Sequence, residues 1–189
     1  MRYLNLVAVG IVILFLAGCS GERDDYEYAI PKEICGISVA ASYAQPLLPP
    51  GKAIKENLRG TPGESQSCGV IVDERVDLSV SFSRQTEELD VMETAVDDYV
   101  DPRRVSLGGR VNSAVVGDDG AIAWMACAPK PNQPQYEAPE SNKAKYTHLV
   151  LQVRTDGEVE KPGSIGDWRM GIEQFLRAYV PELAKTWCS

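Results

Sequence analysis

Gly69-Val70-Ile71-Val72 and Val76-Asp77-Leu78-Ser79-Val80-Ser81-Phe82, joined by Asp73-Glu74-Arg75, decide the fold class. Both runs are rich in β-branched residues, and a short charged stretch parts them, which is the pattern of a hairpin. In the second run Val76, Leu78, Val80 and Phe82 alternate with Asp77, Ser79, Ser81 and Ser83. A period of two gives that strand one buried face and one wet face.

Toward the C-terminus the period changes. Over Glu87–Tyr99 the residues Leu89, Met92, Val96 and Tyr99 fall on one helical stripe, with Glu87, Glu88, Asp90, Glu93, Asp97 and Asp98 around the rest. Glu87 and Glu88 suit the positive end of a helix dipole, whereas Asp97 and Asp98 oppose its negative end. Asp101-Pro102 stops the helix. Arg110–Val116 and Ala121–Cys127 then flank Gly117-Asp118-Asp119-Gly120, whose Asp-Gly pair signals a second hairpin. Ala128–Lys145 carries four prolines among polar residues and reads as a long loop. Tyr146–Val153 alternates again, with Thr147, Leu149, Leu151 and Val153 on one face and Tyr146, His148, Val150 and Gln152 on the other. Ser164–Ser189 is the clearest helix. Ser164 and Asp167 match a capping box, Trp168, Ile172, Phe175, Leu176 and Tyr179 form its apolar stripe, and Leu183 and Trp187 continue it. Pro181 is expected to kink this helix or to begin a second one.

Toward the N-terminus the signals thin out. Lys52–Ser67 has two glycines, a proline and few apolar residues, and reads as mostly loop. Ser38–Ala44 fits two helical turns ending near Pro46, and Pro49-Pro50-Gly51 forces a turn. The sum is an α+β chain: an antiparallel sheet of about five or six strands with helices on one or both faces.

The beginning of the chain belongs to a different physics. Leu4–Leu16 is almost wholly apolar and follows one cation, Arg2. It is too short to cross a hydrocarbon core comfortably, which takes about 20 residues, but it suits a signal peptide. The run closes on Leu16-Ala17-Gly18-Cys19, which resembles the lipobox of bacterial lipoproteins. The resemblance implies that residues 1–18 are removed and that Cys19 becomes the lipid-bearing first residue. Residues 19–30, acidic in Ser20–Tyr28, then read as a tether, and 31–189 as one domain.

With Cys19 set aside, Cys35, Cys68, Cys127 and Cys188 remain, an even number suited to an oxidising compartment. None stands in a Cys-x-x-Cys pair, so zinc and thioredoxin-type chemistry have little support. Three pairings are open. Cys35–Cys68 with Cys127–Cys188 is favoured because each pair brackets a segment that reads as a compact unit.

Charge narrows the partners. The chain carries a formal −8, and the part beyond residue 18 is one unit more negative because Arg2 is gone. No basic stripe is present to displace phosphate counterions, which disfavours nucleic acid, and direct adhesion to anionic headgroups is disfavoured likewise.

Motifs of catalysis are sparse. His148 is the only histidine, no Gly-x-Ser-x-Gly accompanies it, and no cofactor loop or metal set is legible. Gly108-Gly109 precedes a strand and lacks the pattern of a phosphate loop. Carboxylate catalysis needs no signature, so a hydrolase using two acids is retained as the alternative. Among the aromatics, Trp168 and Trp187 fit a helix core, leaving Trp124 and Tyr136 as candidates for a ligand surface.

Lipobox, acidic tether and a domain with two cysteine pairs together resemble small actinobacterial lipoproteins. Val115-Val116-Gly117-Asp118-Asp119-Gly120 and the terminal Tyr-Val-Pro…Trp-Cys are similar to stretches in such proteins. The resemblance implies a fold like the Mog1/PsbP-like or DUF3558-type domains, and it brings no catalytic residues. The expectation is a membrane-anchored extracytoplasmic lipoprotein with a non-enzymatic domain for a protein, lipid or glycan of the envelope.

Overall fold

The computed structural model describes residues 26–61, 65–128, 130, 146–156 and 164–189. Cys19, Tyr136 and most of the proline-bearing segment lie outside the described residues.

In chain order the elements are β1 (Glu33–Ile34), β2 (Ile37–Ser38), α1 (Ala41–Ala44), β3 (Ile54–Thr61), β4 (Ser65–Val72), β5 (Arg75–Gln85), α2 (Val91–Asp98), β6 (Arg103–Val105), β7 (Val111–Val116), β8 (Gly120–Ala126), β9 (His148–Thr155) and α3 (Ile165–Trp187). Strands β1 and β2 make a two-stranded ribbon. The other seven form one antiparallel sheet in the order β3-β4-β5-β9-β8-β7-β6. The fold is α+β, as the periodicities imply, with seven strands in the main sheet among the described residues.

The last strand in sequence is central in space. β9 pairs with β5 on one side and β8 on the other, with Leu151 opposite both Phe82 and Ala123. It thereby joins two hairpins that sequence order keeps apart. Leu149, Leu151 and Val153 point to the face covered by α3, together with Leu78, Val80 and Met125. Val150, Ile122 and Trp124 point the other way, against Val91 and Ala95 of α2. Layers on both faces explain why β8 is buried along almost its whole length.

Four expectations are corrected. Lys52–Ser67 is not mostly loop: it contains β3 and the start of β4. β3 is an edge strand, paired with β4 alone and exposed over nearly its whole length. It has no apolar face to reveal it, and Lys55, Glu56 and Arg59 keep the edge charged, which discourages edge-to-edge pairing. Ser38 belongs to β2, and one helical turn, α1, is followed by a 3-10 turn over Gln45–Leu47 in place of two helical turns. α2 starts at Val91, not near Glu87, because Asp90 caps it by accepting from the Met92 and Glu93 N–H groups at 2.9 and 3.4 Å. Its buried stripe is then Val91, Ala95 and Tyr99, and Val96 lies 58% exposed. Asp98, at the unfavourable end of its dipole, is offset by Arg154 at 2.6 Å. Finally, of the two readings of Pro181, the start of a second helix is corrected: α3 is one helix that runs through it.

Both favoured disulfides are present. Cys35–Cys68 ties the β1–β2 turn to β4, and Cys127–Cys188 ties the residue after β8 to the end of α3. Among the described residues no helix is long and apolar enough to cross a membrane.

Candidate functional site

The helix α3 builds one wall of the site. Its first turn is fixed by the capping box: the Ser164 hydroxyl accepts from the Asp167 N–H, and the Asp167 carboxylate accepts from the Ser164 N–H. The Ser164 hydroxyl also donates to the Asp167 carboxylate at 2.8 Å, and this bond first, with the Ser164 N–H second, holds that carboxyl below the usual carboxylate range. Further along, Phe175 and Tyr179 stack at 5.0 Å, and the buried Tyr179 hydroxyl donates to the Ile34 carbonyl at 3.1 Å. This docks α3 on the β1–β2 ribbon as well as on the sheet. Burial pushes the Tyr179 hydroxyl pKa upward, so it stays a donor.

Leu176, Val180 and Ala184, spaced by four, look toward the β6–β7 connection across a cleft of about 500 Å³. The opposite wall is Leu107, Gly108, Gly109, Arg110 and Val111. Gly108 and Gly109 have φ of +74° and +62°, a left-handed pair that disfavours any other residue. A Cβ on either would meet nothing within 4 Å, so this wall ends in open space.

Two arginines clip the walls together. Arg177 reaches from α3 to the Ser106 carbonyl at 2.7 Å while pairing with Glu173 at 2.6 Å. Arg110 reaches from the connection to the Ser189 main-chain oxygen at 2.7 Å. Lys185 lies on the rim, paired with Glu182 at 2.5 Å, and the Cys127–Cys188 disulfide closes the far end. The charged side chains lining the cleft are all cations. Among the described residues no carboxylate, imidazole or hydroxyl side chain lines it. A second depression of about 550 Å³ lies between β2 and α3, with an alanine-lined floor flanked by Lys32 and Glu182.

The aromatic expected at a ligand surface lies elsewhere. Trp124 is 6% exposed, within the α2-side core, and does not line the cleft. Its ring stacks on His148 at 4.2 Å, and its Nε1 has no hydrogen-bond acceptor among the described residues. His148, half-buried by that stack, has Thr147 Oγ1 at 2.8 Å from its Nδ1. Trp168 is in the α3 core, as its spacing implies. Trp187 is partly buried beside Phe82, with Arg84 over its ring at 4.8 Å and over that of Tyr146 at 4.4 Å. Burial between those rings lowers the Arg84 pKa, partly opposed by the Tyr146 hydroxyl.

Among the described residues the acids do not assemble a facing pair in the cleft. Asp77 and Asp156 flank Arg75, at 2.9 and 3.5 Å, by the β4–β5 turn. Asp101 and Asp118 both bind Arg169 of α3, and Arg169 with Arg103 holds the Asp101 carboxyl below its ordinary range. Glu56 lies against the Cys35–Cys68 bridge, accepting from the Cys35 N–H at 3.1 Å. The two sulfurs there are bonded to each other, so no thiolate is free to join Glu56 as a metal ligand.

Arg110, Arg177, Lys185, Val180 and Ala184 were not singled out from the sequence, and Leu176 was read only as part of the helix core. A signal was present: Val180 and Ala184 add apolar positions beside a stripe that was already complete. In comparisons with family models, with curated proteins and with solved structures, the chain finds no match in any of the three.

Proposed function

We propose that the chain is a lipoprotein of the outer face of a cell membrane, acylated at Cys19, whose domain binds a ligand of the envelope and does not transform it. The cleft beside α3 carries the binding part of this reading. Its volume lies within the range of about 300–1,000 Å³ found for small-molecule sites, its floor is apolar, and a few polar groups converge on its rim. General acid–base catalysis needs a titrating group near neutrality. Among the described residues Lys185 is the one amine in the lining, and it pairs with Glu182.

The anchor rests on Leu16-Ala17-Gly18-Cys19, and the two disulfides support an oxidising compartment. Two or three acyl chains give firm attachment, each buried CH₂ adding about 0.8 kcal/mol. The alternative, carboxylate-dependent hydrolysis, calls for two acids facing across a substrate cleft. The acids brought together here each clamp a guanidinium instead.

Detergent-phase partitioning of cell extracts tests the anchor. The native chain is expected in the detergent phase. A Cys19→Ala chain is expected to keep residues 1–18 and to lose the acyl mass. A native chain recovered in the aqueous phase without added lipid mass contradicts the proposal.

A further inference from the structure

The cleft and the attachment of the tether lie at opposite ends of the domain. At one end the Tyr26 hydroxyl donates to the Leu48 carbonyl at 2.9 Å, and the Glu27 N–H to the Gly51 carbonyl at 2.9 Å. Lys52, beside Gly51, donates its N–H to Asp73 of the β4–β5 turn, where β5 begins. From there β5 runs 11 residues, about 35 Å, to Gln85. Gln85 pairs with His148, which pairs with Ala126, and the neighbouring Met125 pairs with Val111 on the cleft wall. The cleft therefore opens at the far end of the sheet. The six residues between Cys19 and Tyr26 span at most about 25 Å. A domain held that closely presents its Tyr26 end to the bilayer and its cleft away from it.

Charge selects the occupant. The chain is strongly acidic, at −8, yet among the described residues the charged side chains lining the cleft are the cations Arg110, Arg177 and Lys185, of which Arg177 and Lys185 pair with Glu173 and Glu182 outside the lining. Among the described residues Arg110 uses one donor, on Ser189, which leaves further N–H groups of its fork for a ligand, and Lys185, in the lining of the same cleft, pairs with Glu182. Between them and Arg177 runs the strip Leu176-Val180-Ala184, two helical turns or about 12 Å of apolar floor facing Leu107 and Val111. The bare Gly108-Gly109 turn leaves the mouth open.

We propose that this cleft binds an amphiphile with one anionic head group and one apolar chain, taken up as a free molecule and not from a bilayer surface; the orientation rests on the lipid-anchored reading above. The head group, carboxylate or phosphate, sits between Arg110 and Lys185, and the chain lies along Leu176-Val180-Ala184.

The test uses the full chain, acylated, in phosphatidylcholine nanodiscs, titrated calorimetrically with octyl phosphate and corrected with empty discs. Octyltrimethylammonium and inorganic phosphate serve as comparison probes. Saturable binding of octyl phosphate at least tenfold tighter than of either comparison probe is expected. Ala184→Trp, which fills the cleft, is expected to abolish it. Arg110→Gln with Lys185→Gln, which leaves the apolar floor intact, is expected to remove the preference for the anionic head and serves if the tryptophan variant does not fold. No saturable binding, equal binding of both amphiphiles, or equal binding of inorganic phosphate overturns the proposal. If octyl phosphate supplied only within preloaded vesicles binds and free octyl phosphate does not, the free-molecule source is wrong. The mass of the N-terminal peptide from the same preparation reports acylation of Cys19 separately, so loss of the ligand and loss of the anchor are read apart.

Discussion

Replacing Cys127 and Cys188 together by alanine tests how the end of α3 is held. The bridge closes a sequence separation of 61 residues. Loop-closure entropy for that length gives about 4 kcal/mol at 25 °C as an upper estimate. Set against the roughly 5–15 kcal/mol that stabilises a typical domain, this is a large fraction. For a chain of this size it corresponds to a fall in Tm of roughly 8–16 °C. The unfolded chain also becomes less compact without the cross-link, so the slope of a urea titration is expected to rise as its midpoint falls. Cys188 lines the cleft, so the same variant frees the last turn of one wall and is expected to weaken ligand binding even at temperatures where the domain stays folded. Removing Cys35–Cys68, with a separation of 33, costs less by only about half a kcal/mol in the same treatment. Thermal and urea melts of native and variant chains under non-reducing conditions measure these terms. A Tm unchanged within about 2 °C for the Cys127/Cys188 pair would refute the reasoning, because it would mean that the helix end is fixed without the bridge.

Tyr179→Phe leaves the buried Ile34 carbonyl without its donor and is expected to cost about 1–3 kcal/mol by urea titration; an unchanged midpoint would show that this bond does not help dock α3 on the ribbon. Gly120→Ala places a methyl 2.2 Å from the Val153 carbonyl oxygen and 2.6 Å from the Tyr99 ring, so β8 or the ring must move, at about 1–3 kcal/mol. A variant as stable as the parent would mean that the two strands are less closely set. Acid is expected to lower Tm. Asp90, Asp101 and Asp167 all have folded pKa values below the ordinary carboxylate value, so their contribution is full above the unfolded value of about 3.9 and is lost as pH falls through the folded values. Melts across pH 2–6 check this; a flat profile, or an Asp101→Asn, Asp167→Ala double variant with the native slope, contradicts it.

Period and punctuation made much of the sheet legible. Val76–Phe82, the Asp119-Gly120 turn and Leu149–Val153 each carry a local signal strong enough to place a strand, and Ser164 with Asp167 marks the start of α3. β3 was missed because an exposed edge strand has no face to bury and therefore no alternation. In α2, Leu89 and Met92 drew the stripe one register away from the true one, because the capping preference of Asp90 outweighs two apolar side chains that only flank the smaller core. The central place of β9 between β5 and β8 could not be read from order along the chain, since pairing across hairpins leaves no local trace. The cleft has the same origin. Leu107 and Gly109 face Val180 and Ala184 across the cleft through tertiary packing alone, and Trp124, the aromatic that attracted attention, is buried in the core beneath α2.

The mass of the mature protein from its native membrane tests the central claim most directly. The account predicts a chain beginning at residue 19, heavier than its sequence by a diacylglyceryl group, with no thiol free to react with an alkylating agent before reduction and four after it. A chain that retains residues 1–18, or an unmodified Cys19 sulfur, or alkylation of Cys35, Cys68, Cys127 or Cys188 without reduction, would contradict it.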